Sequence, residues 1–371
     1  MSRFPSWSRL LTSAAIGVAP LAVLLGVNAS AAKTPRVTES VTHSNLSVYF
    51  LRGTSAPGPV PLTLAEALIK GSVVIDETGN VNQLQVENKG DEDVFIQAGD
   101  IVKGGQQDRV LTVSLLLPSK SGRLPIGAFC VEQGRWSARG KEDAKRFATS
   151  GSSVPSREAK LAMLAPAKPK VEAAPVPGQG GNAGPANRTQ MRGLGQSEAG
   201  SRQSEVWANV GKIQDKLSSN LKAKVASGVS ASSLQLSLEN ETLVAARSAY
   251  IKALSGAPHE DREIVGVVFA INGRIASAEV YPSSGLFQKM WSKLLDAAAT
   301  EAIAEIGAKL DQQPSVEAVA RFLVTADQGK AEPDVQLAPG LARHLMDAPS
   351  ALAVATKRAD GFEVHRTYVA K

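Results

Sequence analysis

Between residues 46 and 131 the chain sets short apolar or alternating runs against polar turn signals. The runs at 46–51, 72–75, 81–87, 94–97, 109–117 and 124–131 are rich in Val, Ile, Leu and Phe. Gly-Asn and Lys-Gly pairs divide several of them, so they predict short strands. One helix interrupts the series. Thr63-Leu64-Ala65-Glu66 has the form of a capping box, and the helix it starts ends by Gly71. Strands at this density predict a β-rich half of sandwich or barrel type. A cupin jelly-roll lacks its histidine cluster here.

Beyond residue 205 the period changes. Residues 206–217 and 243–254 read as helices, the second capped by Thr242. Runs 264–271 and 274–281 flank Asn272-Gly273, a pair that tolerates the positive φ of a type I′ hairpin turn. Ser283 or Ser284 then caps a long helix, whose apolar positions 287, 290, 291, 294, 295, 298, 302 and 306 form one stripe. Ser315 caps another helix, and 352–369 folds as a hairpin around Asp360-Gly361. The fold class is therefore α+β: a β-rich half over 32–150 and an α+β half over 206–371, with a sheet covered on one face by helices.

Composition adds two segments to this picture. Residues 151–205 hold six prolines and much Gly, Ala and Ser, with almost no aromatic or β-branched residues. Such a stretch buries too little apolar surface to offset its ordering entropy and reads as a disordered loop or linker. Residues 1–31 read as a signal peptide. Arg3 and Arg9 precede an apolar run over 10–27, and Ala29-Ser30-Ala31 supplies the small residues of a cleavage site. The expected product is exported to the periplasm or the extracellular space, and no later run is apolar for long enough to span a membrane.

The formal charge is +6. Residues 32–150 hold 14 basic and 13 acidic groups, residues 206–371 hold 18 of each, and residues 151–205 hold 7 against 4. Arg3 and Arg9 carry two of the six excess charges, and three of the remaining four fall on the expected linker, which argues against a nucleic-acid face on the folded part. The single cysteine, Cys130, lies in an apolar strand and is expected to be buried and inert.

Two polar segments carry the candidate chemistry. The first is Lys103-Gly104-Gly105-Gln106-Gln107-Asp108-Arg109, before an apolar strand. The second, Glu132-Gln133-Gly134-Arg135-Trp136, follows another. If those strands pair, Asp108 and Arg109 meet Glu132 and Arg135. The glycines would let backbone amides approach a ligand, with Lys103, Gln106, Gln107 and Gln133 as polar contacts. The arginines would clamp a phosphate or carboxylate, Trp136 would stack on a ring, and Asp108 or Glu132 would serve as a base. The competing reading is a turn with strand-end salt bridges. No phosphate loop or GxSxG elbow is present, and His43, His259, His344 and His365 are too scattered for a metal set, so no metal or cofactor is expected.

The stretch 96–111, with its IQAGDIVKGGQQDRVL sequence, and the CVEQGRW run at 130–136 resemble the ARG and Rhodanese-Phosphatase-superfamily-associated Protein family. Similar echoes lie at 203–207, 266–281 and 286–295. The resemblance implies that the two halves pack as one unit. The family's name links it to ADP-ribosylglycohydrolases, rhodaneses and phosphatases without assigning it a reaction. The expected function is binding of an anionic or polar small ligand, or a protein partner, through 103–109 and 132–136. The alternative is a hydrolase acting on a phosphorylated or ADP-ribosylated compound.

Overall fold

The computed structural model describes residues 35–165, 186–256, 258 and 261–371, with backbone alone for 186–199. The expected signal segment and His259 lie outside these residues. Residues Thr34–Lys371 form one compact unit.

The chain opens with a hairpin of β1 (Arg36–His43) and β2 (Leu46–Arg52). β3 (Leu62–Thr63) leads into α1 (Leu64–Lys70), where Thr63 and Glu66 form the expected capping box and Gly71, at φ 70°, ends the helix. Then come β4 (Val73–Glu77), β5 (Gln83–Asn88), β6 (Val94–Ile96) and β7 (Asp100–Gly104). β8 (Arg109–Leu111), β9 (Leu115–Leu117), β10 (Gly122–Cys130) and β11 (Phe147–Ser153) follow. The helices α2 (Arg157–Leu164), α3 (Ala186–Leu221), α4 (Leu234–Leu238) and α5 (Glu241–Leu254) precede the hairpin of β12 (Ile264–Ile271) and β13 (Arg274–Val280). The chain continues with α6 (Ser284–Ala304), α7 (Val316–Asp327), β14 (Lys330–Ala331) and β15 (Val335–Ala338). It closes with β16 (Leu341–Asp347), β17 (Ala351–Arg358) and β18 (Glu363–Ala370).

The fold is α+β and β-rich, with three sheets. The largest runs β1-β2-β12-β13-β18-β17-β16-β14, with β15 also on β16, and its pairings are antiparallel. Its first hairpin thus comes from the amino-terminal half. The second sheet runs β11-β7-β8-β10-β5-β4. Its two edges nearly meet: Asp76 bridges Arg146, and Glu77 N–H donates to the Lys145 carbonyl at 3.0 Å. That curl is the barrel-like character the strand density predicts. β3-β6-β9 form a small third sheet.

Alternation of side chains along the large sheet gives it two apolar faces. Val48, Phe50, Val267 and Phe269 pack with Phe287, Met290 and Trp291 of α6 in the main core. Tyr49, Leu51, Val268 and Ala270 pack on the other side with Val319 and Leu323 of α7. Helices therefore cover both faces, where the sequence pattern indicated one, because β2 and β12 are apolar at consecutive positions and must be buried twice.

Three further elements depart from expectation. The run 109–117 is split between two sheets, since Ser114 is captured elsewhere: its hydroxyl accepts the Ala98 N–H at 2.9 Å and its carbonyl accepts the Thr356 hydroxyl at 2.7 Å. The cap of α5 is Asn240, whose side chain accepts from Thr242 and Leu243 N–H, and not Thr242. The stretch 151–205 is ordered at both ends. β11 runs into it, α2 buries Ala159, Met163 and Leu164, and α3 buries Val206 and Val210 beyond it. Average composition hid these few well-spaced apolar residues; residues 166–185 lie outside the described ones.

Candidate functional site

β8 is the hinge of the site. It pairs with β7 on one side, Val102 opposite Arg109, and with β10 on the other, Cys130 opposite Arg109. This pairing brings together the two segments that the sequence separates by some twenty residues. The connecting turn is built on Gly104 at φ 115° and Gly105 at φ 55°. A Cβ on Gly105 would fall 2.4 Å from the Phe147 ring, so both backbone shape and crowding require glycine there.

The amides of that turn are engaged inside the protein. Gly104 N–H donates to Asp108 Oδ1 at 3.1 Å, Gly105 N–H to the Asp143 carbonyl at 2.9 Å, and Gln106 N–H to Glu77 Oε1 at 3.1 Å. The cradle is closed on its own side chains.

Asp108 and Glu132 are both fully buried and converge. Asp108 N–H donates to Glu132 Oε2 at 3.3 Å, and Arg135 Nε donates to the same oxygen at 2.6 Å. Arg135 also reaches Asp108 Oδ1 at 3.3 Å, together with the carbonyls of Gly104, Gly105 and Ser137. Arg139 adds a contact to Asp108 Oδ2 at 3.0 Å, stands 3.5 Å from Glu132 Oε1 and bonds Glu142 at 2.8 Å. Ser233, which caps α4, donates to Asp108 Oδ2 at 3.1 Å. The result is a buried ring of two carboxylates and two guanidinium groups with its polar atoms largely matched.

The two carboxyls titrate in opposite directions. Burial holds Asp108 above the usual aspartate range, against the Arg139 charge and with repulsion from Glu132. Burial would raise Glu132 as well, but hydrogen bonds from Ser230 and Arg135 and the Arg135 charge bring it below the usual range.

Arg109 belongs to a separate inner cluster. Its guanidinium bonds Gln107 Oε1 at 3.1 Å, touches the Cys130 sulfur and pairs with Glu77 at 3.4 Å. Gln107 Nε2 donates to the Glu132 carbonyl at 2.9 Å and so ties cluster to ring. Cys130 is buried, and burial pushes its thiol up to about 11, the Arg109 charge opposing. The remaining predicted residues face outward. Lys103 pairs with Glu239 at 3.2 Å, Gln133 is exposed, and Trp136 is 58% exposed.

Sequence reading missed Glu77, Arg139 and Ser233. Arg139 lay within reach, three residues past Trp136 in the same polar stretch; Ser233 comes from an element with no visible signal. A second buried polar group was also missed, between the large sheet and the curled one. His365 Nε2 lies 3.1 Å from Glu279 Oε2, and Lys160 Nζ lies 4.0 Å from Glu279 Oε1. Beside them Tyr281 donates to Gln97 Oε1 at 2.6 Å, and Lys293 pairs with Asp100 at 2.8 Å. Burial, aided by the Glu279 and Asp100 charges, holds the Tyr281 hydroxyl well above its ordinary value.

No curated protein and no solved structure matches the chain. A family model, described as the ARG and Rhodanese-Phosphatase-superfamily-associated Protein domain, matches residues 34–369. That span takes in both polar segments, the curled sheet and almost all of the large one, and the chain belongs to this family.

Proposed function

We propose that the protein is exported and binds an anionic or polar small ligand, or a partner, through the 103–109 and 132–136 segments. The observation that supports this reading is the exposure of Trp136 directly after Arg135, whose guanidinium is locked by five acceptors. A large aromatic ring held on a pinned turn costs little entropy to dock against, which is how binding surfaces use tryptophan. Lys103, Gln106 and Gln133, carried on the same pinned segments, would add charge and hydrogen bonds, while the buried ring keeps the surface rigid.

The alternative, a hydrolase for phosphorylated or ADP-ribosylated compounds, draws support from the opposed titration of Asp108 and Glu132, a pattern shared by acid–base pairs. Against it stands their complete burial, which leaves no substrate proton within reach.

Calorimetry with ADP-ribose, nucleotides, sugars and short acidic peptides, on protein starting at Ala32, tests both. Binding that weakens at least about tenfold in Trp136→Ala, with an unchanged melting temperature, is the expected result. If no ligand responds to Trp136→Ala or Lys103→Ala, the binding reading fails. Turnover of any of these compounds that disappears in folded Asp108→Asn protein would establish the hydrolase instead. Export is checked by the mass of the product outside the cytoplasm, expected to begin at Ala32.

A further inference from the structure

An open space beside a buried carboxylate, unpaired among the described residues, lies far along the chain from the two polar segments. A cavity of about 370 Å³ separates the start of α2, the end of α6 and the β12–β13 hairpin. A smaller one of about 170 Å³ lies between α6 and α3. Glu158, Glu301 and Glu305 line both.

We propose that this cleft binds a small organic cation carrying a primary ammonium group, with Glu301 as its counter-charge. Glu301 is only 8% exposed, yet it lines both cavities. One of its oxygens accepts the Arg157 N–H at 2.8 Å. The other has no hydrogen-bond partner among the described residues, and no described cation forms an ion pair with it. A buried carboxylate in that state lacks the partner that buried charges ordinarily have.

The basic groups around the cleft, Lys212 apart, are committed elsewhere. Arg274 and Lys309 pair with Asp311, at 2.7 and 3.5 Å, and Lys371 pairs with Asp347. Arg157 pairs with Glu158 at 3.1 Å, and Lys216 with Glu305 at 2.5 Å. Lys160, behind the floor, leans toward Glu279 and the His365 beside it. Lys212 stands on the smaller cavity alone. What remains unspent at the floor is the Glu301 charge; Glu158 and Glu305 flank it, each already paired with a base but with lone pairs left to accept a further proton of an ammonium. Among the described residues no set of three or more His, Cys, Asp or Glu side chains is arranged for a metal, so a hydrogen-bonding organic cation suits the floor better than an inorganic one.

The geometry has a titration signature. Burial, with repulsion from Glu158, pushes the Glu301 carboxyl up to about 7, against the Lys160 and Arg157 charges. An ammonium held by the ionised form should therefore bind tighter as pH rises through 7, by about thirty-fold between roughly pH 5.5 and 8. A ligand held by the basic rim would show the opposite trend.

The test is calorimetry on the full chain with putrescine, cadaverine and ethanolamine, against acetate, inorganic phosphate and calcium chloride, at both pH values. Amine binding that strengthens with pH, disappears in Glu301→Gln and survives in Trp136→Ala is the expected outcome. The last variant separates this site from the one proposed above. Ala308→Trp, which places bulk at the mouth from an exposed turn, gives a second route to the same loss if Glu301→Gln folds poorly. No amine binding, amine binding indifferent to both variants, or preferential binding of acetate, phosphate or calcium would overturn the proposal.

Discussion

Arg135 touches Glu132, Asp108 and three carbonyls, so Arg135→Ala leaves two buried carboxylates with Arg139 as their remaining cation. The expected cost is about 3–5 kcal/mol in urea denaturation, the range for breaking a buried pair from one side. Lysine at the same position should recover only part of it, because one ammonium cannot reach acceptors spread around a planar fork. Cys130 gives a second test at this scale. With its thiol near 11 and its sulfur against Arg109, it should resist a thiol reagent in native protein at neutral pH and react fully in denaturant. Glu301 gives a third. Its folded value, about 7, lies above the unfolded one, so the folded state holds more protons between them. Its contribution to stability is full below the unfolded value and is lost as pH rises through the folded one. Glu301→Gln should therefore flatten the fall in melting temperature between about pH 5 and 8.

The turn at 272–273 tests the next scale. Asn272 at φ 53° and Gly273 at φ 77° make the type I′ geometry that the Asn-Gly pair predicts, and a Cβ on Gly273 would fall 2.3 Å from the Asp311 carbonyl oxygen. Gly273→Ala should cost more than the roughly 1 kcal/mol of φ strain alone, read from the shift in the denaturation midpoint. Asn240→Ala should cost about 1 kcal/mol through loss of the α5 cap. These elements also show what was legible in the chain. Strands with strong alternation, both hairpin turns and the Thr63 and Ser315 caps could be read directly, and the α6 cap was narrowed to Ser283 or Ser284, because each rests on neighbours in sequence. β1 could not: with Val37 alone buried among its eight residues it is held by pairing to β2, a tertiary fact. β7 hid inside the polar segment for the same reason, since Asp100 is buried by Lys293 of α6. The candidate site was half legible. Strand pairing brought Asp108 to Glu132 as composition suggested, and Arg139 lies only three residues past the polar stretch that was read, but Ser233, which completes the ring, enters through a helix cap that carries no pattern.

At the scale of the molecule, the two halves that composition separates share one sheet. β2 pairs along its length with β12, from Arg52 opposite Ile264 to Leu46 opposite Ile271. Gln203 of α3 closes the other seam, accepting the Cys130 N–H and donating to its carbonyl, both at 2.8 Å. Protein spanning 34–371 should accordingly unfold in one calorimetric transition, and 34–165 expressed alone should show no cooperative transition, since β2 would lose its partner on a strand with six of seven residues buried.

That same β2–β12 seam has a consequence for how the protein is made. Synthesis runs from the amino end, so Leu46–Arg52 leaves the ribosome about 200 residues before Ile264–Ile271 exists. At roughly 5–20 residues per second, an apolar strand waits some ten to forty seconds with one edge open. Pairings this distant in sequence also form slowly after release. A holdase bound during the interval would shield the open edge of that first hairpin until the strand that closes it has been made.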